Sequence, residues 1–114
     1  MFSGNQFTTQ AECALRFAHE YAAAHGHGYV GSEHLLYGLV AEGAGAAAQL
    51  LLRHGIRREP LHARLAAALG TGTPDAQTPH GLSPRARRIV AAALAESARM
   101  GNQYIGSEHL LLGI

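Results

Sequence analysis

The chain has no lysine and no tryptophan, a single cysteine, few aromatic residues (6%) and no run of about 18 apolar residues. Each scarcity excludes a class of protein. Without lysine there is no Walker A loop, G-x-x-x-x-G-K-[ST], so the segment is not expected to hydrolyse ATP. The lone Cys13 excludes a disulfide framework and, on an alanine-rich helical stretch, reads as a small buried hydrophobe. The lack of a long apolar run argues against a membrane span. The opening MFSGNQFTTQ has neither the basic nor the apolar region of a signal peptide, so a cytoplasmic protein is expected. Charged residues are also sparse at 15%, and all nine positive ones are arginine. Residues 1–52 carry Arg16 against four glutamates, net −3, whereas residues 53–114 carry eight arginines against four acids, net +4. Only Arg85, Arg87 and Arg88 cluster, and no aromatic residues are interleaved with them, so a nucleic-acid interface is not expected.

What the chain does have is alanine, 22 of 114 residues, and helical periodicity. At 47% hydrophobic and this length, one domain over residues 1–114 with its own core is expected. A first helix is predicted from about Thr8 to His25, with Ala11, Leu15, Ala18 and Ala22 on one face. Its cap is either Thr8 or Thr9, the latter pairing with Glu12 as a capping box. Ser32 as N-cap with Glu33 in the first turn opens a second helix that buries Leu35, Leu36, Leu39 and Val40. A third spans Ala46 to His54, and a fourth starts near Pro60 with Leu61, Leu65 and Leu69 aligned. Residues 70–81, GTGTPDAQTPHG, read as a linker. Ser83-Pro84 then caps a fifth helix expected to face the core with Ala86, Ile89, Val90, Ala93 and Leu94.

Internal repetition organises all of this. Tyr29-Val-Gly-Ser-Glu-His-Leu-Leu-Tyr-Gly-Leu39 recurs 75 residues later as Tyr104-Ile-Gly-Ser-Glu-His-Leu-Leu-Leu-Gly-Ile114, identical at eight of eleven positions. The same offset lays Thr8 over Ser83, Ala11 over Ala86, Ala18 over Ala93 and Gly26 over Gly101. The expected fold is therefore all-α, a pseudo-twofold tandem repeat of small helical bundles. Repeat 1 spans about 7–69 and a partial repeat 2 spans 82–114. The second unit stops inside a helix at Ile114, which implies either a piece of a longer polypeptide or a partner that completes the unit.

The tandem YVGSEHLL and YIGSEHLL motifs, each behind a capped amphipathic helix, resemble the double Clp N-terminal (Clp R) domain of the Hsp100 AAA+ unfoldases, most like the ClpC branch. The resemblance covers about Phe7 to Ile114. It implies an N-terminal domain that recognises substrates and adaptor proteins for an ATP-dependent protease chaperone. The parent would hexamerise through ATPase modules, which hold ATP and Mg, and would deliver to a ClpP-like peptidase. The domain itself would be a binding module with no cofactor, no catalytic residue, and no nucleic-acid or membrane partner. It further implies recognition of phosphoarginine-marked proteins by Glu33 and Glu108, with Thr8 and Ser83 contributing cap chemistry. Hydroxyls and free N–H groups at helix starts favour phosphate, and a carboxylate forks a guanidinium. The plainer reading is that both glutamates only complement helix dipoles, by about 0.3–1 kcal/mol each. Two other functions remain open: a disaggregase-type N-domain that binds unfolded polypeptide, and a free-standing helical interaction or regulatory module. Of the eight histidines, His19, His25 and His27 read as solvated and not as metal ligands, while His34 and His109 read as buried groups that fix helix packing. Tyr37, opposite Leu112 in the repeat, reads as core packing. The groove beside Glu108 is expected to lack part of its wall, because repeat 2 is the incomplete one.

Overall fold

A computed structural model of the chain describes residues 7–70, 81–102 and 104–114, and the helices begin where side-chain oxygens meet free N–H groups. Thr8 Oγ1 accepts from Ala11 N–H at 3.2 Å and opens α1 (Thr9–Ala24), which resolves the choice of cap against Thr9. After it come α2 (Ser32–Glu42), α3 (Ala46–Arg53) and α4 (Arg58–Leu69), with Pro60 in the first turn of α4, where its missing N–H costs nothing. Ser83 Oγ accepts from Ala86 N–H at 3.1 Å and opens α5 (Pro84–Arg99), and α6 (Ser107–Gly113) follows. Most of the predicted linker, residues 71–80, lies outside the described residues.

The core is built on alanine because the helices cross closely. Ala11, Ala14, Leu15, Ala18 and Ala22 present a narrow buried face of α1 to α2. At the crossing sits Gly38, where an added Cβ would run into the Ala14 carbonyl and lie 3.2 Å from Ala18 Cβ. Gly113 repeats the arrangement against α5, with the Ile89 carbonyl 2.6 Å from where a Cβ would be. Ala86, Ile89 and Ala93 are buried as expected. Leu94, however, is 48% exposed. It follows Ala93 by one residue, about 100° around the helix, and so turns away from α6. Cys13 is also only half-buried, on the flank of α1, where its Sγ accepts from Arg16 at 3.6 Å.

The two repeats are joined by exchange. Phe7 forms a parallel bridge with Ile105, and Val30 forms one with Leu82. Under the offset of 75 these are the same pairing seen from either side. Thr8 N–H donates to the Ile105 carbonyl, Val30 N–H to the Gly81 carbonyl and Ser83 N–H to the Val30 carbonyl, each at 2.9 Å. The segment that leads into the first helix of each repeat is therefore held by the interhelical loop of the other.

Helix α4 rests on a separate small cluster, in which Leu61, Leu65 and Leu69 meet Tyr21, Tyr37 and Ala41. Tyr37 is core, as expected, and its hydroxyl accepts from Arg58 Nε at 3.1 Å. Among the described residues nothing equivalent covers repeat 2, and Leu112, in the place of Tyr37, is 62% exposed.

Candidate functional site

The reciprocal exchange decides which of the four candidate residues meet. Thr8, at the start of repeat 1, is carried to the α5–α6 loop and lines one concavity with Glu108, and Ser83 is carried to the α1–α2 loop, close to Glu33. Each candidate site thus takes its cap hydroxyl from one repeat and its carboxylate from the other.

The start of α2 and α6 differs from the reading of the sequence. Ser32 and Ser107 are not the caps. The N-cap positions are Gly31 and Gly106, and their N–H groups donate to Nδ1 of His34 and His109, at 2.8 Å in both repeats. A histidine at the third helical position plays the part usually taken by glutamate or glutamine in a capping box. This arrangement leaves both serine hydroxyls free for other partners, and their fates diverge. Ser107 is buried and its Oγ accepts from Ala47 N–H at 3.3 Å, so it satisfies the start of α3 across the repeat boundary. Ser32 Oγ instead donates to Glu33 Oε1 at 2.7 Å.

That difference reverses the expectation about the walls. The concavity at Glu108, about 280 Å³, is lined by Thr8, Gln10, Ala44, Gly45, Ala46, Tyr104, Ser107 and Glu108. Helix α3 of repeat 1 supplies its third side. The starts of α1, α3 and α6 converge there, and Glu108 remains 46% exposed at their meeting point. Beside Glu33 the described residues supply no such third helix. The hollow next to Ser32 is lined by Arg85, Arg88, Ile89, Ala92, Gly113 and Ile114. The site containing the carboxylate of repeat 2 is therefore the walled one.

Glu108 Oε1 lies 4.0 Å from His109 Nδ1, but that nitrogen already accepts the Gly106 N–H, so the contact is not a charged pair. The carboxylate faces the concavity without a cationic partner at Nδ1. His34 is pushed down from 6.5 to about 4 by burial first and by the neighbouring His27 second, with Glu33 acting in the opposite sense. It stays neutral at the cap through the physiological range.

The buried roles of His34 and His109 match the sequence reading, at 5% and 1% exposure. The solvated reading of His25 and His27 does not hold. Both are half-buried and belong to a ring cluster with Tyr21, His34 and His62: His25 stacks on Tyr21 at 4.0 Å between centroids, and His27 lies 4.9 Å from His34. Sequence spacing gave no signal for His62, which α4 brings from far along the chain. Among the described residues no three His, Cys, Asp or Glu side chains converge as a metal set. Among the described residues no single helix is long and apolar enough to cross a membrane.

The model of the Clp repeat (R) N-terminal domain matches residues 6–114. The chain belongs to that family. Relatives include the negative regulator of genetic competence ClpC/MecB of Bacillus subtilis, 38% identical over 109 residues, which are 96% of this chain and 13% of the relative. The chloroplastic chaperone ClpC1 of Arabidopsis thaliana is also 38% identical over 109 residues, 96% of this chain and 12% of that protein. Among solved structures, the N-terminal domain of the caseinolytic protease associated chaperone ClpD from Arabidopsis thaliana superposes with a TM-score of 0.79 at 26% identity, covering 98% of this chain and 77% of that one. The Hsp104 N-terminal domain from Candida albicans, at 18% identity, a TM-score of 0.77 and coverage of 95% and 72%, shares the fold. The chain spans about one eighth of the length of the curated relatives it matches.

Proposed function

We propose that this Clp N-domain recognises substrates and adaptor proteins for a cytoplasmic ClpC-like unfoldase, and that the ligand group read at Glu108 is phosphoarginine. The ATPase modules, with their ATP and Mg, would form the hexamer and feed a ClpP-like peptidase. The observation that carries the reading is the walled concavity in which Thr8 and Ser107 hydroxyls, the starts of three helices and the Glu108 carboxylate share about 280 Å³. A phosphorylated guanidinium presents both an anion for the N–H groups and hydroxyls and a planar cation edge for the carboxylate. The half-exposed Tyr104 ring adds a face on which a guanidinium can stack. Ser83 and Glu33 form the related, more open site.

Calorimetric titration of free phosphoarginine into the chain tests this, with arginine and phosphate as controls. Binding is expected to need both chemical groups, to fall at least tenfold in Glu108→Ala and to fall less in Glu33→Ala. Gly106→Ala sharpens the test. The N-cap φ of −96° tolerates alanine, but its Cβ would displace the Glu108 carboxylate, so folding should persist while binding weakens. Equal binding by all variants, or none by the folded parent, refutes the phosphoarginine reading. A disaggregase-type role would instead use apolar surface such as the hollow lined by Val40, Ala48, Leu52, Ile56 and Pro60, and would be indifferent to Glu108.

A further inference from the structure

The hydrogen bonds of the buried histidines have a direction. Nδ1 of His34 accepts the Gly31 N–H at 2.8 Å, so the proton of the neutral ring must sit on Nε2. That Nε2 lies 2.7 Å from Nδ1 of His27, which must therefore accept. The His27 proton is then on its Nε2, 2.9 Å from the Gly70 carbonyl. Donation runs one way throughout, from Gly31 N–H through His34 and His27 to Gly70. Gly31 is the N-cap of α2 and Gly70 the C-cap of α4, so two imidazoles in series tie one helix end to the other.

Repeat 2 provides an internal comparison. His109 Nδ1 accepts the Gly106 N–H at 2.8 Å in the same way, but its Nε2 meets the side-chain amide of Asn102 at 3.1 Å. Asn102 stands 75 residues after His27, in the equivalent position. For His109 Nε2–H to donate, the amide must present its oxygen, an acceptor that cannot titrate.

We propose that the His27–His34 chain is a proton-sensitive tie that holds α4 onto repeat 1. A proton taken from solvent at His27 Nδ1 sets one N–H against another, breaks the link to His34 and frees the end of α4. Among the described residues, four groups face His27. The ring of His25 lies 6.1 Å away and that of Tyr21, from α1, 6.3 Å away. His34 faces it from α2, with the Glu33 carboxylate acting on the His34 ring, and the Gly70 carbonyl faces it from α4. His62 of α4 packs edge-on to His25 and Tyr21 across the same joint. The Arg58 guanidinium of α4 donates to the Tyr37 hydroxyl. The Tyr21 hydroxyl is buried without a hydrogen-bond partner among the described residues and offers no counter-charge, its ionisation being pushed up by burial and by Tyr37. Beside the tie, α4 is held by the small cluster of Leu61, Leu65 and Leu69 on Tyr21 and Tyr37, by the Arg58–Tyr37 hydrogen bond and by the edge-on contacts of His62.

Long-range nitrogen–proton spectra of the histidines, recorded on the 114-residue chain from pH 8 to pH 5, test the tie. At pH 8 both His27 and His34 should be Nε2–H tautomers. On acidification the amides of Leu61–Leu69 should shift together with His27, while those of α5 and α6 stay in place. His27→Asn, which installs the acceptor used in repeat 2, should hold the α4 amides steady over the same range. An Nδ1–H tautomer of His27 at pH 8 overturns the proposal, as does an α4 response that is unchanged in His27→Asn. Should that variant fail to fold, the parent alone decides: α4 amides with a midpoint different from that of His27 refute the link.

Discussion

Replacing Gly38 with alanine sets two known effects against each other. Alanine in a helix interior is worth about 1 kcal/mol over glycine by intrinsic propensity, so in an isolated α2 the substitution would stabilise. In the folded chain the new Cβ meets the Ala14 carbonyl, with Ala14 C at 3.0 Å and Ala18 Cβ at 3.2 Å. The nearest obstructing atoms, Ala14 O and C, are helix backbone and cannot rotate aside, so α1 and α2 must move apart. Overpacking of this kind typically costs about 1–3 kcal/mol, and a clash with backbone belongs at or above the top of that range, leaving a net loss of about 2 kcal/mol. For a domain of this size, that lowers the melting temperature by roughly 10 °C. Thermal and urea unfolding of parent and variant measure it, and the urea midpoint should fall with an unchanged slope. A variant that melts at or above the parent temperature would show that propensity wins, and that the crossing at Gly38 is looser than described.

Two further outcomes follow from the caps and the buried histidine. Ser107→Ala removes the buried acceptor for Ala47 N–H and should cost roughly 1–3 kcal/mol, whereas Ser32→Ala, whose hydroxyl donates to its half-buried neighbour Glu33, should fall within about 0.5 kcal/mol of the parent in the same urea assay. For His34 the folded value of about 4 lies below the ordinary 6.5, so the unfolded chain binds the proton first. Its contribution, on the order of 3 kcal/mol, is complete above about pH 6.5 and is lost as the pH falls toward 4. Urea midpoints measured from pH 7.5 to 4.5 should therefore decline, and a rise on acidification would contradict the buried neutral ring.

The helices and their repeat could be read from the sequence because the signals were local: Thr8 and Ser83 lie next to the helices they cap, and the alanine periodicity of α1 and α5 needs no partner to be seen. The register of the α2 and α6 caps could not, since serine before glutamate fits an N-cap and only the ring of His34 or His109, reaching back three residues, moves the cap to glycine. The make-up of the candidate site was hidden for a different reason. Thr8 lines up with Ser83 in the sequence, but in space it belongs with Glu108, because the repeats exchange their leading segments. No single repeat contains that information. The same exchange brings α3 to Ser107, which is why the site beside the shorter repeat has the better wall. Leu94 shows the limit of periodicity, since a stripe of apolar positions does not reveal how wide a face the neighbouring helix covers.

The exchange of leading segments also bears on how such a chain could arise and how it would come apart. A single repeat would leave its own bridge unanswered, and two copies related by a twofold axis would answer each other; the covalent tandem turns that bimolecular pairing into an internal one with a high effective concentration. Cleavage between Gly70 and Gly81 should therefore yield two pieces that remain associated and unfold as one. The Phe7–Ile105 pairing joins residues near opposite ends of the sequence, so native structure closes only after most of the chain is in place. During synthesis the first repeat would emerge with its leading segment waiting for a partner still to be made.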